Sequence, residues 1–563
     1  VTVDDVLRSL YRRSLIGFDT ATERYNLHDL IREFAKNYLE TEGLYLRYTK
    51  YYIQLARRAS ELYEKGNEHT LAGLEIFDQE RAHIDAIWDW IKQQEASPDT
   101  DNLLITFVQT TSGIGAIRFD INEQAIPQFK AAIAAAQRLH RHSISEWATH
   151  RLADAHLVLG NAKLSVELHQ QALDIAQRHN IRDAAAWNLN CMAAAYARLG
   201  DYKKAVDNRE QSLEIFRKIG NRLGESTVLE NLGNTYLELG QAKKLIELYK
   251  KSSIIRPHSG EKRSMAGRLV NLGNAYNQLA EFQKALEYHK SALLILSEIG
   301  DKGWEGNALI GLAHTYSAVG EIAQATMLCE QALSLYRQVG DKHGEASAIC
   351  GFGQTSVQIG SPKRALDFFE RSLRIFRNIG SGNYECTVLV GMSQAYVDLG
   401  MPAQAIDLCE QSMANIQVLG DLRGEGYTTA MLGTAYVEIE ETERAQQSYE
   451  KALLIATDVD DRMLAALVHN LLGKLFLSKH ELDVAREHLN EALRIAQPIG
   501  SRDLTTQISL NLGLLLEQQG ELERAAEMIQ ARVDYEQEIG HLKADEHTAQ
   551  VERIRQQLTV KTD

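Results

Sequence analysis

Glycine recurs in this chain at intervals of 40 residues, and no other feature restricts so strongly what the chain can fold into. One series is Gly200, Gly240, Gly320, Gly360, Gly400 and Gly520. A second is Gly220, Gly300, Gly340, Gly380, Gly420, Gly500 and Gly540. A third is Gly233, Gly273, Gly353, Gly433, Gly473 and Gly513. Alanine keeps the interval at Ala205, Ala285, Ala325, Ala365, Ala405, Ala445, Ala485 and Ala525. Small residues follow seven places later (Ser212, Ser252, Ala292, Ala332, Ser372, Ser412, Ala452, Ala492), and tyrosines stand at Tyr196, Tyr236, Tyr276, Tyr316, Tyr396 and Tyr436. A fixed period of this length marks stacked units, none of which buries its apolar face alone.

Each position has a physical reading. In the unit Ser226 to Ile255, Leu229, Leu232, Gly233 and Tyr236 fall at i, i+3, i+4 and i+7, one face of a helix. Gly240 sits just past that helix, where a left-handed residue closes it. A second helix follows, with Leu245, Leu248, Tyr249 and Ser252 on one face. The glycines thus have two uses. Those at the ends terminate helices; those inside, such as Gly233 and Gly273, cost about 1 kcal/mol of helix propensity each. Close approach of a neighbouring helix offsets that cost, and the small residues of the Ala205 and Ser212 series imply such an approach. Only six prolines stand in 563 residues, as a helical array requires.

Composition narrows the function classes. Lys and Arg number 61 against 76 Asp and Glu, a formal charge of −15, which argues against a general binder of nucleic acid or anionic membrane. Five cysteines without a C-x-x-C pair exclude a disulfide scaffold and a thiolate zinc site of that spacing. No run of 18 apolar residues predicts a membrane span, and no signal peptide is expected. The chain opens on Val1 inside a patterned segment, so a piece of a longer, cytoplasmic protein is expected.

The pattern resembles the tetratricopeptide repeat, W-x2-L-G-x2-Y, then A-x3-F, then A and P. Leu232-Gly233 with Tyr236 and Leu272-Gly273 with Tyr276 match the first block, Ala365 with Phe369 the second, and Pro257 the last. Leu replaces the Trp, and the period is 40 rather than the family's usual, shorter one. The extra six residues are read as the link between units, "IGDKGWEG" or "IGNRLGES". This longer form is similar to the repeats of kinesin light chain and of the Leu-Gly-Asn adaptors. The resemblance implies an all-α, right-handed superhelical solenoid with a concave groove lined by first helices. Helix pairs are expected from near residues 144, 184, 224, 264, 304, 344, 384, 424, 464 and 504, with an eleventh, degenerate pair at about 103–140. The expected organisation is a partial winged-helix segment over 1–41, a helical linker over 42–102, the array over 103–542 and a charged capping helix and tail over 543–563.

The front end differs. Arg13 to Ile16, a polar turn, and Tyr25 to Ala35 read as strand, turn, strand edge and helix. With Leu27-His28-Asp29 before "LIREFA", this resembles the end of the winged helix in NB-ARC NTPases of the STAND class. There, the resemblance implies, the histidine approaches the β-phosphate of ADP and holds the off state. His28 is the candidate for that role; the alternative is that it caps the following helix beside Asp29. Phe77 to Arg81 and Ile84 to Trp90 resemble the "ERANLRAALDWA" linker between winged helix and repeats in the same proteins. No G-x-x-x-x-G-K-[ST] is present, so no cofactor is expected on these residues. By resemblance an upstream NTPase domain takes ADP or ATP with magnesium.

Little in the sequence points to catalysis. The histidines look scattered, His140 and His142 lack metal-ligand spacing, no G-x-S-x-G elbow appears, and no metal site is expected. Cys329 and Cys409 replace the apolar residue held elsewhere by Tyr249, Phe369 and Tyr449, and read as core. The groove says more. Residues one before and two after the Leu of Leu-Gly face the concave side in the family, and here stand Asn231, Asn234, Asn271 and Asn274, with Asn277 a turn on and His314, Gln354 and Gln394 continuing the line. Amides carry donor and acceptor, and a ladder of them can pair with the backbone of an extended peptide. The alternative is that they cross-link neighbouring helices. Gly311, Gly351 and Gly391 either open a pocket or permit tight packing. The expectation is a non-enzymatic, ligand-sensing interaction module of a STAND NTPase with a peptide or protein partner in the groove. Its alternatives are a constitutive scaffold or part of a small-molecule-sensing transcription regulator.

Overall fold

The computed structural model describes residues 3–13, 15–19, 24–27, 42–65, 68–255, 262–380 and 382–562. It divides into two compact units, Val1–Arg141 and His142–Asp563.

The first unit begins with a helix, Val3–Arg12, and an antiparallel hairpin pairing Ile16–Asp19 with Arg24–Leu27. A strand pair occurs here as expected, but the first strand starts at Ile16 instead of ending there, because Arg13 and Leu15 still bond back to the preceding helix. His28, the helix expected after Asp29, and Pro257 lie outside the described residues. Helices Glu42–Lys65, Glu68–Gln79 and Arg81–Ile91 follow, then Pro98–Arg118 and Ile126–Arg138. These last two cover the degenerate pair and belong to the first unit. Ala59, Phe77, Ile84, Ile87, Phe107 and Val108 are buried among them. Arg81 ties three elements together: its guanidinium donates to Asp85, to the Arg118 carbonyl and to Gln124, over the face of Phe119.

The second unit is a solenoid of ten helix pairs whose first helices begin at residues 142, 182, 222, 262, 302, 342, 382, 422, 462 and 502. One expectation needs correcting. The six extra residues per repeat are not a link; they lengthen the helices. Ile219 ends one helix and Arg222 begins the next, with only Gly220 and Asn221 between. The Asn221 N–H donates to the Phe216 carbonyl, closing one helix, while the Asn221 side chain accepts from the Gly224 N–H and opens the other. Asp301, Asp341, Asp421 and Asp461 repeat the capping.

Among the described residues of the array, helices thus end at every twentieth residue, and each such end takes a left-handed φ. Glycine fills most of these places; His140, Asn180, Ala280, Glu440, Asp460 and His480 fill others. A side chain there strains against the following carbonyl.

In six of the ten pairs, one second-helix side chain sits against a first-helix glycine. A Cβ at Gly353 would lie 2.5 Å from Phe369, and one at Gly433 2.7 Å from Tyr449. Where the second helix carries only Cys329 or Cys409, the glycine register holds Ala313 or Ser393. Both cysteines are buried. The same side chains also meet the next repeat's first helix: Cβ atoms at Gly311, Gly351 and Gly391 would collide with His289, Cys329 and Phe369. Those glycines therefore serve close packing, not a pocket.

Consecutive first helices touch one another as well as their own second helices. They form the inner layer, and the chain coils tightly around it. Repeats about five apart come into contact. Gly200 lies against Leu419, Gly240 against Arg423, Gly320 against Tyr535 and Gly360 against His541. Tyr202, Leu239, Cys386, Ile416 and Leu419 form a buried cluster across this seam, as do Ala280, Phe282 and Ile499. Lys243 pairs with Asp460 at 2.5 Å, and the Leu542 N–H donates to the Ile359 carbonyl. The last helix, Ala544–Thr562, covers the end of the array, with Val551 and Ile554 on Leu522, Ile529 and Val533.

Three outcomes follow from this packing. Glu440→Gly is expected to raise stability in urea unfolding by about 0.5–1 kcal/mol, and Gly340→Ala to lower it by about 1 kcal/mol, because both act only through the left-handed φ. Leu419→Asp is expected to enlarge the radius of gyration in small-angle X-ray scattering while circular dichroism stays unchanged; an unaltered radius would show that the seam does not hold the turns together. His289 has both ring nitrogens buried and unpartnered, and burial pushes its pKa down to about 3. Between about pH 6.5 and pH 3 the unfolded chain therefore takes up a proton that the folded chain refuses, and stability falls as pH falls. Phe369 occupies the equivalent place between Gly353 and Gly391. His289→Phe should therefore raise stability by about 1–3 kcal/mol at neutral pH and flatten that acid slope.

Candidate functional site

The inner layer positions the amide ladder because its residues recur once per repeat on the first helices. Asn231 donates to Asn190 of the preceding first helix at 3.2 Å. Asn234 accepts from the Tyr249 hydroxyl and, at 3.0 Å, from Asn271, whose amide also lies 3.1 Å from that hydroxyl. Asn277 donates to the Gly311 carbonyl and accepts from Thr315. Gln394 donates to Asp398 one turn on. These five side chains cross-link the wall or their own helix. Half-buried Asn274 and Gln354 and exposed His314 make no such bonds and stand in one register of three consecutive repeats.

The interior is crowded even where water reaches it. Surrounding protein, and the Arg423 cation from three repeats further on, hold His314 below the ordinary histidine range. A polar group brought there meets a medium in which unpaired donors and acceptors are costly, so correct pairing discriminates strongly. Beside the seam, a cleft of about 440 Å³ is lined by Ile322, Met327, Phe352, Arg364, Phe368 and Ile539, among others.

Two members of the ladder registers escaped the sequence reading. Asp154 stands where Asn234 and Asn274 stand two and three repeats later, and Cys191 where Asn231 and Asn271 stand. Contrary to the impression of scattered histidines, His150 and His169 join them. A signal was available: His169, Arg209 and His289 put polar residues at the position that Phe369 and Tyr449 fill.

A family model described as tetratricopeptide repeat matches residues 183–255, 265–338, 306–378 and 463–534, and a second of the same description matches 428–463. The array is built of tetratricopeptide repeats. No curated protein matches the chain. Similar solved structures include a Rap protein complexed with competence and sporulation factor, 13% identical over 61% of this chain and 98% of that one, with a TM-score of 0.47. Another is a Signal Transduction ATPase with Numerous Domains (STAND) protein with a tetratricopeptide repeat sensor, from Pyrococcus horikoshii. It is 14% identical over 81% of this chain, which spans 60% of that protein, with a TM-score of 0.38. A third is the Cut9-Hcn1 hetero-tetramer of APC/C, 16% identical over 81% and 96%, with a TM-score of 0.34. Tetratricopeptide repeats are protein-interaction modules, and among the described residues no helix is long and apolar enough to cross a membrane.

Asn234→Ala removes an acceptor from the mostly buried Tyr249 hydroxyl and is expected to cost about 1–3 kcal/mol in urea unfolding. Asn274→Ala, which breaks no bond, should stay within about 0.5 kcal/mol of the parent.

Proposed function

We propose that this chain is a ligand-sensing module that takes a peptide or protein on the inner wall of its repeats and thereby controls a signalling NTPase of the STAND class. The observation that carries the reading is the row of Asn274, His314 and Gln354. These are half-buried or exposed polar side chains on consecutive repeats, with no internal hydrogen-bond partners. The resemblances at Leu27-His28-Asp29 and at Phe77 to Trp90 support the link to an NTPase, which would hold ADP or ATP with magnesium and sense it through His28. The protein would act in the cytoplasm. Switching requires that the ligand favour one arrangement of the array over another, since equal affinity for both shifts nothing. The seam between turns would supply such an element, because its contacts join repeats about five apart and are distinct from those within a repeat. The cleft beside the seam favours a second reading, a small-molecule signal that acts by opening or closing the turns.

The test is affinity capture from a lysate of the source organism with two baits, the parent and an Asn274→Ala, His314→Ala, Gln354→Ala variant, after circular dichroism shows both folded. A protein held by the parent and lost from the variant is the expected result. Equal retention by both baits would move recognition off the inner wall.

A further inference from the structure

We propose that His150, Asp154, His169 and Cys191 form a binding site for a divalent d-block cation of zinc type, cross-linking the first two repeats. The inference is independent of the proposed sensing role. The four residues come from three helices. His150 and Asp154 lie one turn apart on His142–Val158, His169 is on Ala162–Arg178, and Cys191 is on Arg182–Arg198. One ligand atom each of His150, Asp154 and Cys191 fall within 4.8 Å of one another. The two Asp154 oxygens each face a histidine, with His150 Nε2 3.5 Å from Oδ2 and His169 Nε2 3.5 Å from Oδ1. Tetrahedral ligands at about 2.0–2.3 Å from a zinc ion stand about 3.3–3.8 Å apart, so these spacings already suit a metal.

The hydrogen bonds around the cluster set its donors. The Asn188 amide nitrogen donates to Glu146 and to the Ala184 carbonyl, which fixes its orientation and turns Oδ1 toward the histidines. That oxygen lies 3.0 Å from His150 Nδ1 and 3.2 Å from His169 Nδ1. Both rings must therefore carry their proton on Nδ1 and, when neutral, present a lone pair at Nε2. A metal-ligating histidine needs this arrangement. His169 is 0% exposed, and its Nε2 makes no closer polar contact than the 3.5 Å approach to Asp154 Oδ1, too loose to satisfy it fully. The charges admit a cation once the thiol ionises. Glu146 and Asp154 supply two carboxylates, which are set against Arg151, 3.5 Å from Asp154, and Arg209, so the thiol of Cys191 must give up its proton to the solvent when a metal binds. Buried Arg209, near Cys191, has an unpartnered Nε, so a thiolate at Cys191 would answer both it and the metal. Asp154 is 32% exposed and leaves a path for entry. The mixed nitrogen, oxygen and sulfur donor set favours zinc over calcium or magnesium. His150, Asp154 and Cys191 supply three ligand atoms that lie together, and His169, placed by its 3.5 Å approach to Asp154, would be the fourth and close the site as in a structural centre.

The purified chain is stripped with chelator and titrated with Co2+ as a spectroscopic stand-in, then with Zn2+. One equivalent of cobalt is expected to give intense tetrahedral d–d bands and a thiolate-to-cobalt charge-transfer band, both abolished by one equivalent of zinc. Cys191→Ala should remove the charge-transfer band without loss of fold, since this register holds Asn, Gly, Met and Leu in other repeats. Asn188→Ala should weaken zinc by about 10–100-fold while keeping the cobalt spectrum, as expected of a positioning residue. X-ray absorption of the zinc-loaded parent, which needs no variant, should show one sulfur neighbour. Absence of stoichiometric binding, a zinc shell without sulfur, or a charge-transfer band that survives Cys191→Ala would overturn the proposal.

Discussion

The array depends on one contact, repeated: a second-helix side chain wedged against a first-helix residue too small to keep it out. Phe369 against Gly353 and Tyr449 against Gly433 are its full-sized forms, and Cys329 against Ala313 its reduced one. The same side chain reaches the first helix of the next repeat, at Gly311, Gly351 or Gly391. The contact therefore fixes both the pairing within a repeat and the step to the next. Close packing makes that step stiff, because a core at crystal-like density transmits a change of one methyl group. The inner layer of first helices is drawn together while the second helices spread outside it, and the chain must curve. Curvature summed over five repeats brings Gly240 to Arg423 and Gly360 to His541.

That closure changes what the inner wall is. His314 is open to water yet near a cation that belongs to another part of the coil. The ladder itself divides by chemistry. Asn231, Asn234, Asn271 and Asn277 spend their donors and acceptors on neighbouring helices, whereas Asn274, His314 and Gln354 keep theirs. At the start of the array the same registers carry Asp154 and Cys191 in place of amides, and two histidines face them. The wall is thus one scaffold with different chemistry in successive stretches.

Much of this was legible in advance. The helix pairs begin within two residues of where the 40-residue register put them, and Gly233, Gly273 and Gly353 lie where a partner helix presses close. The link was misread because "IGDKGWEG" looks like a turn. Its Gly300 and Asp301 are a C-cap and an N-cap back to back, and everything after them is already helix. The amides were correctly set on the first helices, but no pattern within a single repeat tells a partnered asparagine from a free one. The partner of Asn271 is Asn234, in the neighbouring repeat.

What the sequence alone determined is what depends on neighbours in the chain: the period, the caps, the two helices of each repeat, and the size match between Phe369 and Gly353. Tertiary structure decided the rest. The seam joins residues roughly 180 to 220 places apart, and the His150, Asp154, His169 and Cys191 cluster draws on three helices. Both are set by the small rotation from one repeat to the next. Packing between neighbours sets that rotation, and its sum over five repeats decides whether the turns meet.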